Sequence, residues 1–237
     1  PDLTFSLPDG PWDNALHGQT LALAGRRTVY VWRKLPLDGE LPDLTLSDRI
    51  GSVRLQELTG VALDDKYFYL ADRQAQSIYV WEGIPSRESE PKFTLSMQSP
   101  GRLASDGQYL TAAPFEGQAI AVWRVNELGD DAVPTRVGRP SQFNLPGEGL
   151  AAKGHFFVAD RGNHRVHVWH RIADALSGKP ADALLGAEND QDRNPEIGRD
   201  KLFMPGSVAF DGSYLWVGEF KFSTRILRFS PGRERAP

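Results

Sequence analysis

The stretch RVHVW at residues 165–169 recurs as TVYVW (28–32), SIYVW (77–81) and AIAVW (119–123), with ILRF (226–229) as a fifth copy that ends in Phe229 rather than tryptophan. Such self-similarity marks a repeated supersecondary unit and outranks any local motif in deciding the fold. In TVYVW, Val29 and Val31 face one side of an extended chain while Tyr30 and Trp32 face the other. A strand apolar on both sides is buried on both. This predicts small sheets packed face to face, as radial stacking around an axis achieves for every unit.

Aligned on the terminal aromatic, the units run 12–32, 60–81, 101–123, 149–169 and 206–229. Each contains a short apolar run, a turn of Asp, Gly or Lys, a second run such as Tyr67 to Ala71, a polar loop and the alternating run. Period-2 runs split by turn residues are antiparallel strands. A fourth strand is predicted after the first four triplets, at PDLTLS (42–47), PKFTLS (91–96), PTRV (134–137) and ADALLG (181–186). None follows Phe229, but PDLTFS at 1–6 nearly repeats 42–47. The expectation is an all-β chain, a β-propeller of four-stranded antiparallel blades forming a single domain over 1–237. Five blades are counted, with the ring closed by the N-terminal strand so that no sheet edge is left exposed. A sixth blade would require that one unit of roughly 40 residues has been trimmed away.

VADRGNHRVHVW (158–169), preceded by LPGEGLAA (145–152) and followed by SGKPADALLG (177–186), closely resembles NHL-repeat β-propellers. The units ADRQAQSIYVW (71–81) and VGEFKFSTRILRF (217–229) match less closely, and the first unit lacks the Asp-Arg step. The resemblance implies a scaffold whose relatives mostly bind proteins, RNA or small ligands, while a minority are lyases or lactonases.

Composition narrows the chemistry. The 237 residues are 40% hydrophobic and 24% charged, which suits a soluble globular protein with a large core, and no run approaches the length of a membrane span. A start at Pro1 rather than Met suggests processing or trimming. It leaves a cytoplasmic protein and one exported after removal of an N-terminal segment equally open. Zero cysteines remove disulfides, thiol nucleophiles and thiolate zinc sites. A net charge of −4 argues against nucleic acid as a partner, because Glu116, Asp160 and Glu219 dilute Arg73, Arg161 and Arg139. No Gly-rich phosphate loop or Gly-x-Ser-x-Gly signature occurs.

In a four-stranded blade, the loop joining the second and third strands shares a face with the connection that enters the blade. That face collects the residues that break the repeat, and loops over a rigid frame are where binding sits. The candidates for a binding face are Asp72, Arg73, Phe115, Glu116, Asp160, Arg161, Glu219 and Phe220, with Phe143 and Phe222 as further apolar anchors. The structural counter-reading makes Asp72 and Asp160 acceptors of backbone N–H groups and the arginines bridges between blades.

Metal chemistry through histidine needs converging imidazoles, and the five histidines are predicted to lie apart. Oxygen ligands are a separate option. Asp13, Asn14 and Glu148 begin inner strands, where a central channel could hold a divalent ion as lactonase-like relatives do. Apart from such an ion no cofactor is expected. The loop 188–200 carries Asp190, Asp192 and Asn194 at alternate positions like the start of a calcium loop. Pro195 and Lys201 then break that pattern, leaving an acidic solvated loop. The leading function is a non-catalytic scaffold that captures a protein or extended ligand. The alternative is a metal-assisted lactonase or lyase at the channel mouth.

Overall fold

The repeat places its strands where the period-2 pattern predicts. The computed structural model describes residues 7–130 and 132–230. The first sheet consists of β1 (Asp13–His17), β2 (Thr20–Ala24), β3 (Thr28–Trp32) and β4 (Leu44–Ser47), hydrogen-bonded in that order. A short hairpin follows, β5 (Arg49–Ile50) and β6 (Val53–Arg54), which the repeat does not announce. The second sheet is β7 (Leu58–Leu63), β8 (Tyr67–Asp72), β9 (Ser77–Glu82) and β10 (Phe93–Ser96). The third is β11 (Pro100–Ser105), β12 (Tyr109–Pro114), β13 (Ile120–Arg124) and β14 (Thr135–Val137). The fourth is β15 (Glu148–Ala152), β16 (His155–Asp160), β17 (Arg165–Trp169) and β18 (Ala183–Leu185).

The fifth sheet has three strands among the described residues, β19 (Pro205–Phe210), β20 (Leu215–Glu219) and β21 (Ile226–Phe229). Its expected partner, 1–6, lies outside the described residues. The fold class is all-β, with five blades of β-propeller type. The outer strands start one or two residues later than the sequence suggests, since Pro134 has no N–H to donate to a ladder. One helical turn, α1 (Ile172–Leu176), sits in the connection after Trp169. The chain divides into two compact units, Pro1–Glu116 with Ala121–Thr135, and Gly117–Ile120 with Arg136–Pro237.

Burial follows the two-faced strand pattern. In the first unit Phe68 and Leu70 of β8 join a core with Val31, Leu46 and Trp81, while Tyr69 and Ala71 of the same strand join another with Val80, Leu110 and Trp123. One strand thus feeds two cores, as packing between adjacent sheets requires. In the second unit Phe157, Val166, Leu202, Val208 and Val217 form the corresponding layer. A glycine within an inner strand permits this close approach. A Cβ on Gly60 would lie 2.2 Å from the carbonyl oxygen of Gly101.

The repeated tryptophans have a common polar task. The indole N–H groups of Trp32, Trp81, Trp123 and Trp169 donate to the carbonyls of Glu40 (3.1 Å), Ser89 (3.1 Å), Ala132 (3.0 Å) and Lys179 (3.0 Å). Each ring is buried at the end of the third strand, and its N–H ties down the connection leading to the fourth. Phe229 fills the same place without a donor. Trp81→Phe is expected to cost about 1–2 kcal/mol in urea denaturation, combining a lost hydrogen bond with a smaller ring. Trp81→Leu should cost more, since it removes most of the aromatic volume as well.

Candidate functional site

The loops joining second and third strands dock on the connections that enter the same blades. In the first unit the N–H of Arg73 donates to Glu57 O (2.8 Å) and that of Phe115 to Ser99 O (2.8 Å). In the second unit Gly162 donates to Asn144 O (2.7 Å) and Phe220 to Met204 O (2.9 Å). The predicted sharing of a face by these two kinds of loop is therefore present within each unit.

In the first unit β8 ends on Asp72, whose carboxylate is fully buried and accepts the N–H groups of Gln56 (2.7 Å), Glu57 (3.1 Å) and Ala75 (3.1 Å). Asp72 thus staples the entering connection to the loop that follows it. Beside it, Arg73 donates from Nε (2.9 Å) and Nη2 (2.5 Å) to the two oxygens of Glu57. The hydrogen bonds from Arg73 hold the Glu57 carboxyl below its usual range and raise the guanidinium in turn. Held this way, the guanidinium lies 4.0 Å from the centre of the Phe115 ring. Trp12 meets the same ring edge-on at 6.1 Å and is 46% exposed. Arg73, Phe115 and Trp12 form a part-exposed aromatic platform with a fixed cation, and Glu116 next to it is exposed.

In the second unit Asp160 ends β16 as Asp72 ends β8. It accepts from the N–H of Asn144 (2.8 Å), Asn163 Nδ2 (2.8 Å), His167 Nε2 (3.2 Å) and Arg165 Nε (3.4 Å). All four side chains, Asp160, Asn163, Arg165 and His167, are buried. Glu219 repeats the device at the end of β20. It accepts from Phe203 N (2.7 Å), from Arg225 Nε (2.8 Å) and Nη2 (2.7 Å), and from the Ser223 hydroxyl. Burial alone would raise its pKa, but the Arg225 guanidinium and these donors hold it below the usual range. The structural counter-reading of Asp72 and Asp160 thus describes their contacts, and Glu219 joins them. Arg161 and Lys221 approach the 38% exposed Phe220 ring at 5.5 and 5.4 Å. Phe143 is not an exposed anchor. It is buried, with its ring 5.0 Å from that of His167 and 6.5 Å from that of Trp169. The Phe222 side chain lies outside the described residues.

The inner-strand carboxylates are engaged with backbone. Asp13 is 4% exposed, and its Oδ2 accepts the N–H of Val61 (3.0 Å) and of Leu103 (3.2 Å). Arg102 Nη1 stands 3.6 Å from its Oδ1. Burial pushes the Asp13 carboxyl up to about 6 despite the arginine and those N–H groups. The two N–H donors lie where β7 and β11 each shift register against their partners, so the carboxylate serves backbone groups released from the regular ladder. Asn14 is exposed. In the second unit Glu148 Oε2 accepts Val208 N (2.9 Å), next to the irregularity in β19. Among the described residues no group of three or more His, Cys, Asp or Glu is arranged to hold a metal ion. In the acidic loop, Lys201 pairs with Asp192 at 3.3 Å. His164 accepts the N–H of Met204 at Nδ1 (3.1 Å), and burial lowers its pKa.

One feature of the second unit escaped the pattern of loops. A cleft of about 820 Å³ opens between 139–142, the stretch 180–184 leading into β18, and 187–193. Arg165 and His167 reach it from β17, and Arg139 and Arg193 stand on its loops. Its only sequence signal is Arg165 itself, a charged residue at a buried strand position.

Antiparallel blades of this topology define a β-propeller. Residues 148–169 match the family model of the NHL repeat, so the fourth blade of this β-propeller carries an NHL repeat. Among solved structures it is similar to a chain of a nidogen/laminin complex, with TM-score 0.64 and 14% identity over 93% of this chain and 75% of that one. It is also similar to the glutaminyl cyclase of Myxococcus xanthus, with TM-score 0.54 and 15% identity over 92% of this chain and 88% of that one. A third is the computationally designed Ika8 protein, with TM-score 0.52 and 10% identity over 92% of this chain, which spans only 57% of that longer one. At these identities the likeness is one of fold. Comparison with curated proteins gave no match. No helix among the described residues is long and apolar enough to cross a membrane.

Proposed function

We propose that this chain is a non-catalytic binding scaffold that captures a protein segment on the loops joining its second and third strands. The observation that carries the reading is the platform of Trp12, Phe115 and Arg73. A part-exposed aromatic pair beside an arginine is the composition of an interface hot spot. The Glu57 fork immobilises the guanidinium over the Phe115 ring before any partner arrives, so little side-chain entropy is left to lose on binding. In the second unit, Phe220 with Arg161 and Lys221 offers a similar combination. The similar chain of the nidogen/laminin complex belongs to a protein complex, which agrees with this use of the fold.

The metal-assisted lactonase or lyase reading has weaker support. The Asp13 oxygens already serve two backbone N–H groups and face Arg102, so a cation at Asp13 would have to displace donors that hold the strands.

Peptides selected against the intact protein from a random display library provide the test. Trp12→Ala with Phe115→Ala is expected to weaken their binding at least tenfold, about 1.4 kcal/mol or more, with the thermal midpoint shifted by only a few degrees. Peptides that bind this double variant as tightly as the parent would refute the assignment.

A further inference from the structure

We infer that the cleft of the second unit is a small-molecule site that recognises a single carboxylate on a short apolar body. This goes beyond the loop platform and uses none of its residues. The cleft, at about 820 Å³, has the size of pockets that enclose metabolite-sized ligands. Its recognising group is Arg165, whose side chain is 2% exposed although it lines the cleft. Arg165 Nε faces Asp160, and Nη1 donates to the carbonyl of Asp190 at 2.9 Å. Among the described residues Nη2 has no hydrogen-bond partner, so its donors remain for a ligand on the cleft side.

A guanidinium clamped on two of its nitrogens presents the third in a fixed direction, where its N–H groups make a charge-assisted hydrogen bond to a carboxylate oxygen. His167 supports the same wall. Its Nε2 is spent on Asp160, and its ring stacks on Trp169 at 5.8 Å, so it cannot swing away.

The rest of the lining selects the kind of anion. Arg139, Arg165 and Arg193 bring three positive charges, which Asp182, Glu188 and Asp190 balance. A near-neutral cleft with one free guanidinium edge suits a monoanion and penalises the second charge of phosphate. Pro140, Ala183 and Leu184 offer apolar contact to a short aliphatic chain.

Calorimetric titration of the whole protein with hexanoate, hexanamide and inorganic phosphate separates these requirements. Hexanoate is expected to bind saturably, hexanamide at least tenfold more weakly, and phosphate not measurably. Arg165→Lys keeps the charge but loses the clamped planar donor, and it should weaken hexanoate at least tenfold. If that variant fails to fold, Arg139→Ala with Arg193→Ala tests the rim and should weaken binding severalfold. Arg124→Ala, in the other unit, should change nothing. Absence of saturable hexanoate binding, equal binding of hexanamide or phosphate, or undiminished binding in every folded cleft variant would overturn the inference. None of these outcomes touches the display experiment, which reads Trp12 and Phe115.

Discussion

Replacing Asp160 with alanine is expected to destabilise the protein by about 3–5 kcal/mol, the cost of removing one partner from a buried ion pair. Asp160 is fully buried and is the acceptor for four donors, one of them the guanidinium of Arg165, itself 2% exposed. Without the carboxylate a buried cation loses its counter-charge, and Asn163, His167 and the Asn144 N–H lose an acceptor together. Asp160→Asn keeps one oxygen and the volume, so it should cost less than the alanine, though still more than a surface change. Asp190, whose side chain is 74% exposed, provides the contrast. Its carboxylate is solvated and 3.8 Å from Arg165 Nη1, and Asp190→Asn is expected to change stability by less than about 0.5 kcal/mol. Urea denaturation of the three variants reads these differences. An alanine variant as stable as the parent would remove Asp160 from the centre of the fourth blade.

The second large effect is a pH dependence set by Asp13. Burial raises its carboxyl from 3.8 to about 6 in the folded chain. Between those values the native state holds a proton that the unfolded state has released, so stability falls as pH rises through this window. The full difference is about 3 kcal/mol, present below pH 3.8 and lost above pH 6. Glu57, Asp64 and Glu219 act in the opposite sense. Their folded pKa values are lowered, so the stability they contribute is present above the ordinary carboxylate range and lost as pH falls through it. Asp13→Asn keeps an oxygen for the N–H groups of Val61 and Leu103 and removes the ionisation. Denaturation between pH 4.5 and 7.5 should show the parent losing stability relative to Asp13→Asn as pH rises. Parallel profiles for the two proteins would show that Asp13 titrates normally.

The strand pattern was legible because it depends on neighbours in the chain. Val29, Tyr30, Val31 and Trp32 are buried on both faces as their alternation requires, and the tryptophans occupy corresponding places in four blades. Of the residues named for the loop face, Asp72, Asp160 and Glu219 are the last residues of β8, β16 and β20, while Arg73, Phe115 and Phe220 are hydrogen-bonded to the entering connections. What each does was not legible, because the same Asp-Arg step serves different ends. Arg73 after Asp72 turns outward to Glu57 and Phe115, whereas Arg161 after Asp160 approaches Phe220 and leaves the buried pairing to Arg165. Phe143 shows the same limit, since nothing local distinguishes a loop phenylalanine at a surface from one packed on His167 and Trp169.

By itself the sequence determined the all-β blades and, to within one or two residues, the place of the described blade strands, since a two-residue period and turn chemistry act over a few residues. Only the tertiary structure decided that Asp13 serves N–H groups 48 and 90 residues away, that Trp12 and Arg73 share the Phe115 ring, and that Arg165 lines a cleft. These arrangements depend on which residues meet after folding, on the burial that then raises or lowers a carboxyl, and on where an irregular strand leaves an N–H unpaired.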